Sequence, residues 1–276
     1  MDEIEKKPTR IKIIEIFKKI GVYDFLRINY HKTIAYRNMH PQWDIDKKIV
    51  KIEYKEKKFE FVLTNEKNNI YDRPIYKCEP LYFFKNELKG YINLKDIKKN
   101  GVLIDIGSYQ GAFTIFWKKV INSKSKVICF EPDKENIKIM KKNFKLNNIK
   151  GVKIIEKGIW NKKDILKFSA RGEAGHLNPK GETSIKVTDL VSELKKQKVP
   201  QGNVAFIKMD IEGAEIEAID GMTKFLSNHS PQLSIASYHY REGIQTYIQV
   251  EEKLKKLGFN VKTDFLKHLT TMAWKN

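Results

Sequence analysis

From Asn100 onward, short apolar runs alternate with stretches of helical period, and few architectures accept that pattern. "GVLIDIG", "KVICFEP", "VKIIEKG", "VAFIKMD" and "QLSIASYH" read as five buried strands. Phe113, Phe116, Trp117 and Val120 mark a helix after the first. Asp133 is a suitable N-cap for a second helix, with Ile137, Met140 and Phe144 in one stripe. A third helix is expected from about Ala214 to Leu226, and an irregular insertion separates strands three and four. Strands alternating with helices imply a mainly parallel sheet covered on both faces. The end departs from this rule. After the helix "YIQVEEKLKKLG", the runs "FNVKT" and "LTTMAWK" lie only a few residues apart, which suits an antiparallel hairpin and brings the strand count to seven.

Residues 1–98 read differently. "TRIKIIEIFKKIG" places Ile13, Ile16, Phe17 and Ile20 on one helical face, with Gly21 as a stop. "IVKIEYKEKKFEFVL" reads as two alternating strands about a Lys-rich turn, and "CEPLYFFKNEL" leads into another helix. A helix and a hairpin this small are not stable alone. The expected organisation is an α+β cap over residues 1–98 and a main domain over 99–276.

The formal charge of the 276-residue chain is +19, which raises the question of an anionic partner. The composition counts against nucleic acid as that partner. Only six of the 53 basic residues are Arg, and the 47 Lys are scattered over nearly every polar face. Arg is the better bidentate reader of phosphate and guanine. The charged start "MDEIEKKPTR" does not resemble a signal peptide, and no apolar run is long enough to span a membrane. Cys78 and Cys129 are far apart and form no metal pattern. The expectation is a cytoplasmic protein without a membrane span; the oligomeric state is open.

The strand that ends at Ile106 delivers Gly107, Ser108, Tyr109 and Gly111 to the carboxyl edge of the sheet, where open α/β sheets carry their ligand crevice. Glycines there allow close backbone approach and positive φ. The next strand ends at Glu131 and Pro132. A carboxylate at that place accepts hydrogen bonds from both hydroxyls of a ribose. The dehydrogenase pattern G-x-G-x-x-G is not met, because Tyr109 stands at the second glycine. Asp105, just before the turn, would repel a pyrophosphate and attract an ammonium or sulfonium, unless it only braces the loop. After strand three, Gly158, Ile159 and Trp160 are candidates for an adenine slot.

"DIGSYQG", "FEPDKEN", "TDLV" and above all "IKMDIEGAE" resemble the FkbM family of S-adenosylmethionine-dependent methyltransferases over about residues 79–240. The resemblance implies a Rossmann-like class I methyltransferase fold, S-adenosylmethionine as cofactor and methylation of a hydroxyl on a sugar, a glycan or another small molecule. A nucleotide-linked sugar is one such acceptor. Two positions depart from the family pattern. Tyr109 stands where Asn is usual, and Ser237 stands two residues before His239 where an acid is common.

Methyl transfer from a sulfonium needs alignment of the acceptor oxygen and removal of its proton. The candidates for the acceptor side are Asp210, Glu212 and His239, with Asp210 also near the cofactor and Glu215 opening the following helix. Lys208 is a candidate partner for Asp210 or Glu212. Three carboxylates could instead hold a divalent metal such as Mg²⁺, and the sequence leaves this undecided. Acceptor choice is expected in the N-terminal cap and in the insertion Ser169–Ser184, which contains His176. Three other readings stand beside this one: an RNA ribose 2′-O-methyltransferase, an NAD-dependent oxidoreductase and a non-catalytic binding module. "MDIEG" in place of an Asn/Asp-Pro-Pro-aromatic run counts against methylation of base nitrogens.

Overall fold

The structure is a computed structural model that describes residues 39, 41–44, 46–65, 76–77, 79–168, 183–266 and 268–276. The helix expected at 9–21, Cys78, His176 and residues 169–182 of the insertion lie outside the described residues. Backbone contacts divide the chain into two compact units, Met1–Leu81 and Tyr82–Asn276, whereas the sequence reading drew its boundary at 98/99. Residues 82–91 belong with the second unit for a physical reason. Phe83 and Tyr91 pack edge-on against Phe113, and Phe84 packs edge-on against Phe116.

In the first unit, β1 (Gln42–Asp44), β2 (Ile49–Tyr54) and β3 (Lys57–Val62) form an antiparallel sheet in that order. Lys55 and Glu56, both left-handed with φ of 49° and 59°, make the two-residue turn between β2 and β3. Val50, Ile52, Phe59 and Phe61 are buried, as strand alternation requires. A short pair follows, β4 (Thr64–Asn65) with β5 (Tyr76–Lys77).

A helical run crosses the division: α1 (Glu79–Tyr82), a π-helical stretch Phe83–Glu87, and α2 (Leu88–Tyr91). Then come β6 (Val102–Ile106), α3 (Ala112–Phe116) with a π-helical continuation Trp117–Ile121, β7 (Val127–Phe130), α4 (Lys134–Leu146) and β8 (Val152–Ile155). The insertion contributes β9 (Gly158–Ile159), β10 (Asp164–Phe168) and β11 (Thr183–Thr188). The chain continues through α5 (Leu190–Lys196), β12 (Val204–Met209), α6 (Glu215–Gly221), α7 (Thr223–Asn228) and β13 (Gln232–Ala236). It closes with β14 (Tyr240–Arg241), β15 (Ile244–Gln245), α8 (Tyr247–Lys256), β16 (Asn260–Asp264) and β17 (Thr270–Trp274).

Seven strands form the main sheet in the order β16-β17-β13-β12-β6-β7-β8. The expected mainly parallel sheet with an antiparallel C-terminal hairpin is present. Only β17 runs against the others, wedged between β13 and β16 and antiparallel to both. β6, β7, β12 and β13 are buried along their whole length, which is why they read as largely apolar runs, broken by Asp105, Lys208, Gln232 and Ser234. Phe206, Ile104, Leu233 and Phe130 are among the buried side chains, each worth about 1.5–3 kcal/mol in transfer terms.

The Asp133 side chain accepts from the Asn136 N–H at 2.8 Å and starts α4; Asp189 does the same for α5 through Ser192. Two expectations are corrected. The single helix read over 214–226 is divided at Met222, whose φ and ψ of −112° and 12° leave the helical region. The insertion is not wholly irregular: β10 pairs antiparallel with β11, which in turn pairs parallel with β9. Among the described residues no helix is long and apolar enough to cross a membrane.

Candidate functional site

β6 and β12 lie side by side and end together, with Ile106 opposite Met209. The turn after β6 is held from beneath: the Gly107 and Ser108 N–H groups donate to the Phe130 carbonyl at 2.9 and 3.0 Å. The Ser108 hydroxyl donates to the Asp105 carbonyl at 2.7 Å. Gly107 has a φ of 71°, and a Cβ there would collide with the Asp210 carbonyl oxygen. Gly111 has a φ of 84° at the start of α3, where a Cβ would come within 2.6 Å of the Phe144 ring. Both glycines are therefore required by conformation and by space. Tyr109 is also left-handed, with a φ of 48°, and its ring is exposed.

Glu131 ends the neighbouring strand. Its Oε2 accepts from the Tyr109 N–H at 2.8 Å, and its Oε1 accepts from the Asp133 N–H at 3.0 Å. The side chain is buried, and burial raises its pKa against the lowering effect of those N–H donors. Pro132 follows, partly exposed. Gly158 and Trp160 are partly buried, and the Trp160 N–H donates to the Thr188 carbonyl at 2.9 Å. Ile159, a candidate for the adenine slot, is buried and packs within the main core.

Asp105 is fully buried and does not face the crevice as a bare charge. Its Oδ2 accepts from the Thr114 hydroxyl at 2.6 Å, and its Oδ1 lies 3.7 Å from the Lys208 ammonium. The Lys208 ammonium donates to the Gly107 carbonyl at 2.7 Å and lies over the Tyr91 ring. Lys208 thus makes its close ion pair with Asp105 under the turn, while its charge also acts on Asp210. Beside them Cys129 is fully buried, and burial, with the Asp105 charge, pushes its thiol up to about 12.

The loops after β12 and β13 bring Asp210, Glu212, Glu215 and His239 together. His239 Nε2 lies 3.3 Å from Glu212 Oε2 and 3.8 Å from Asp210 Oδ1. Its Nδ1 lies 3.4 Å from Glu215 Oε1. Glu215 is fully buried and is itself fixed by the Ile211 and Gly213 N–H groups at 3.1 and 3.2 Å. Burial alone would lower the His239 pKa, but the Glu212 and Glu215 carboxylates outweigh it and the ring is pushed up to about 10. The sequence reading gave His239 a pKa suited to a base; the surrounding carboxylates shift it upward from the ordinary imidazole value.

Three further residues that the sequence did not single out reach the cluster. The Tyr91 hydroxyl, at the end of α2, donates to Asp210 Oδ2 at 2.8 Å and lies 3.3 Å from His268 Nε2. His268, just before β17, is buried and lies 4.0 Å from Glu87. Burial would raise the Asp210 pKa, but His268, 3.9 Å away, and the charges of Lys208 and His239 hold the carboxyl well below its usual range. Burial and the neighbouring Asp210 push the Tyr91 phenol up, so it stays a donor.

A parallel sheet with one reversed strand wedged next to its edge, a glycine turn after its central strand and an acid after the next define a class I methyltransferase-type domain. A model of the methyltransferase FkbM domain matches residues 105–261, more than half of the chain, and the chain belongs to that family. Among solved structures, it is similar to the methyltransferase FkbM from Methylobacillus flagellatus. The identity is 18%, the coverage 72% of this chain and 51% of that one, and the TM-score 0.50. A SAM-dependent methyltransferase from Aquifex aeolicus is 15% identical, with coverage of 72% and 98% and a TM-score of 0.41. The chain spans about half the length of the Methylobacillus protein. No curated protein matches it.

Proposed function

We propose that this chain is an S-adenosylmethionine-dependent O-methyltransferase acting on a hydroxyl of a sugar, a glycan or another small molecule. One observation carries the reading. A single sheet edge presents a turn bounded by two glycines and a buried carboxylate beside β6, and a carboxylate–imidazole cluster beside β12, with Gly107 packed on the Asp210 carbonyl between them.

The residues fit an adenosyl cofactor. Among the described residues Glu131 Oε2 takes one N–H donor and has capacity for a ribose hydroxyl, and the absent Cβ of Gly107 and Gly111 lets the turn fold tightly against Asp210 and Phe144. When bound, S-adenosylmethionine supplies an activated methyl group. Glu131, Pro132, Gly107, Ser108, Tyr109, Gly111, Gly158 and Trp160 would hold it. Asp105, through Thr114 and Lys208, keeps the turn rigid from below. Asp210 Oδ1 and Glu212 Oε2 face the space beside His239 Nε2, where an acceptor hydroxyl would be oriented and its proton drawn off.

The test is calorimetric. S-adenosylhomocysteine should bind and, at 100-fold over its Kd, stabilise the fold by about 2.7 kcal/mol, whereas NAD should not. Labelled S-adenosylmethionine with a panel of nucleotide-linked sugars then reads the acceptor. Stabilisation by NAD alone would overturn the reading. Methylation of RNA, with binding that falls steeply with salt, would replace the small-molecule acceptor with a ribose 2′-hydroxyl.

A further inference from the structure

Two trios of metal-ligand type share Asp210 among the described residues: Asp210, Glu212 and His239 on one side, and Glu87, Asp210 and His268 on the other. They are not equivalent. The second is filled by protein, since the Tyr91 hydroxyl stands 2.8 Å from Asp210 Oδ2 and 3.3 Å from His268 Nε2. In the first, Asp210 Oδ1 and both ring nitrogens of His239 are buried with no hydrogen bond of good geometry, although Glu212 and Glu215 lie 3.3 and 3.4 Å from the ring. The His239 side chain is only 10% exposed, so water does not readily make up the deficit.

We propose that Asp210 Oδ1, Glu212 Oε2 and His239 Nε2 form a binding site for a divalent cation of the Mg²⁺ or Mn²⁺ kind. The distances suit one. Ligand bonds of ~2.1 Å place neighbouring ligands ~3 Å apart and opposite ones ~4.2 Å apart in an octahedron. The two nitrogen-to-oxygen separations here are 3.3 and 3.8 Å. The imidazole is also presented correctly. Glu215 stands 3.4 Å from Nδ1, fully buried and held by two backbone N–H groups, so it favours the tautomer with the proton on Nδ1 and the lone pair on Nε2. A carboxylate behind a ligating histidine is the usual second support of a metal site. Two carboxylates and one imidazole suit a hard or borderline dication. The ion takes the place of the positive charge that three carboxylates otherwise demand. The site stands on this geometry alone; its role, holding the acceptor oxygen and easing loss of its proton, rests on the methyl-transfer reading.

The test uses the full chain stripped with EDTA and titrated with Mn²⁺. Loss of the free Mn²⁺ electron-spin-resonance signal should give one ion per chain, and spin-echo modulation should show coupling to a single ¹⁴N. His239→Gln should abolish that coupling and weaken binding at least ~10-fold. Glu215→Gln should weaken it ~10–100-fold. His268→Gln should leave it within about twofold. S-adenosylhomocysteine binding is measured on the same samples. Wild-type chain that binds S-adenosylhomocysteine but no Mn²⁺ at millimolar concentration overturns the metal site and spares the methyl-transfer reading. Mn²⁺ binding without the nitrogen coupling also overturns it. Mn²⁺ bound with the coupling, in a chain that ignores S-adenosylhomocysteine, keeps the site and removes its assigned role.

Discussion

The Tyr91 hydroxyl donates to Asp210 Oδ2 at 2.8 Å, joining residues 119 positions apart in sequence. This bond fixes the plane of the one carboxylate that both sides of the crevice share. A hydrogen bond to a charged group contributes about 1.5–3 kcal/mol. Tyr91→Phe should therefore lower methyl transfer by ~10-fold or more while S-adenosylhomocysteine affinity changes by less than ~3-fold. Paired turnover and calorimetric measurements check this, and equal losses in both would mean that Tyr91 merely supports the fold.

Gly107→Ala meets two obstacles, a left-handed φ of 71° and the Asp210 carbonyl. The backbone strain alone costs about 1–3 kcal/mol, and the collision adds to it. A denaturant melt should show a loss of at least ~2 kcal/mol, with cofactor binding lost from whatever remains folded. A melt unchanged from wild type would contradict the packing described here.

Glu131→Ala should abolish S-adenosylhomocysteine binding, because it removes the diol acceptor and leaves the Tyr109 and Asp133 N–H groups without their carboxylate. Glu131→Gln keeps the shape and part of the hydrogen bonding, so a loss of ~10–100-fold is expected, in line with about 1.5–3 kcal/mol for a charged bond. Retained affinity in the Ala variant, measured by calorimetry, would place the cofactor elsewhere.

Cys129 should resist alkylation in the native chain. Its thiol is pushed up to about 12 and is fully buried, so the reactive thiolate is scarce and unreachable. Mass spectrometry after iodoacetamide at pH 8 should find it unmodified until denaturant is added.

Glu193 gives a pH dependence of stability. Burial would raise its pKa, but Lys157 at 2.8 Å and Gln197 outweigh that and hold it below the ordinary 4.5. A depressed folded pKa means stability that is fully present above 4.5 and lost as pH falls through the lower folded value. Lys157→Ala should reduce stability at pH 7 and flatten the acid limb of the melting curve. An unchanged acid limb would show that the pair contributes nothing.

Much of this fold is legible in the residues because the central strands are buried on both faces. "VLIDI" and "VAFIKM" permit no wet face, and their helical spacers leave only a parallel sheet. The insertion strands were harder to see, since "DILKF" and "TSIKVT" are short and flank a Gly-rich stretch. Asp210, Glu212 and His239 could be grouped from sequence because β12 and β13 are neighbours, pairing Met209 with Ile235. Tyr91 and His268 could not. One precedes the first strand of the sheet, the other sits before its last, and no spacing rule joins them. The electrostatic setting of His239 was also beyond reach, because it depends on how closely the three carboxylates of the segment after β12 approach its ring.

Gly107 rests against the Asp210 carbonyl, the Asp210 N–H donates to the Ile106 carbonyl at 3.0 Å, and Lys208 ties the Gly107 carbonyl down from beneath. The two halves of the crevice therefore have no slack between them. The distance from the glycine turn to the acid opposite is therefore fixed by the backbone itself, with no hinge between them.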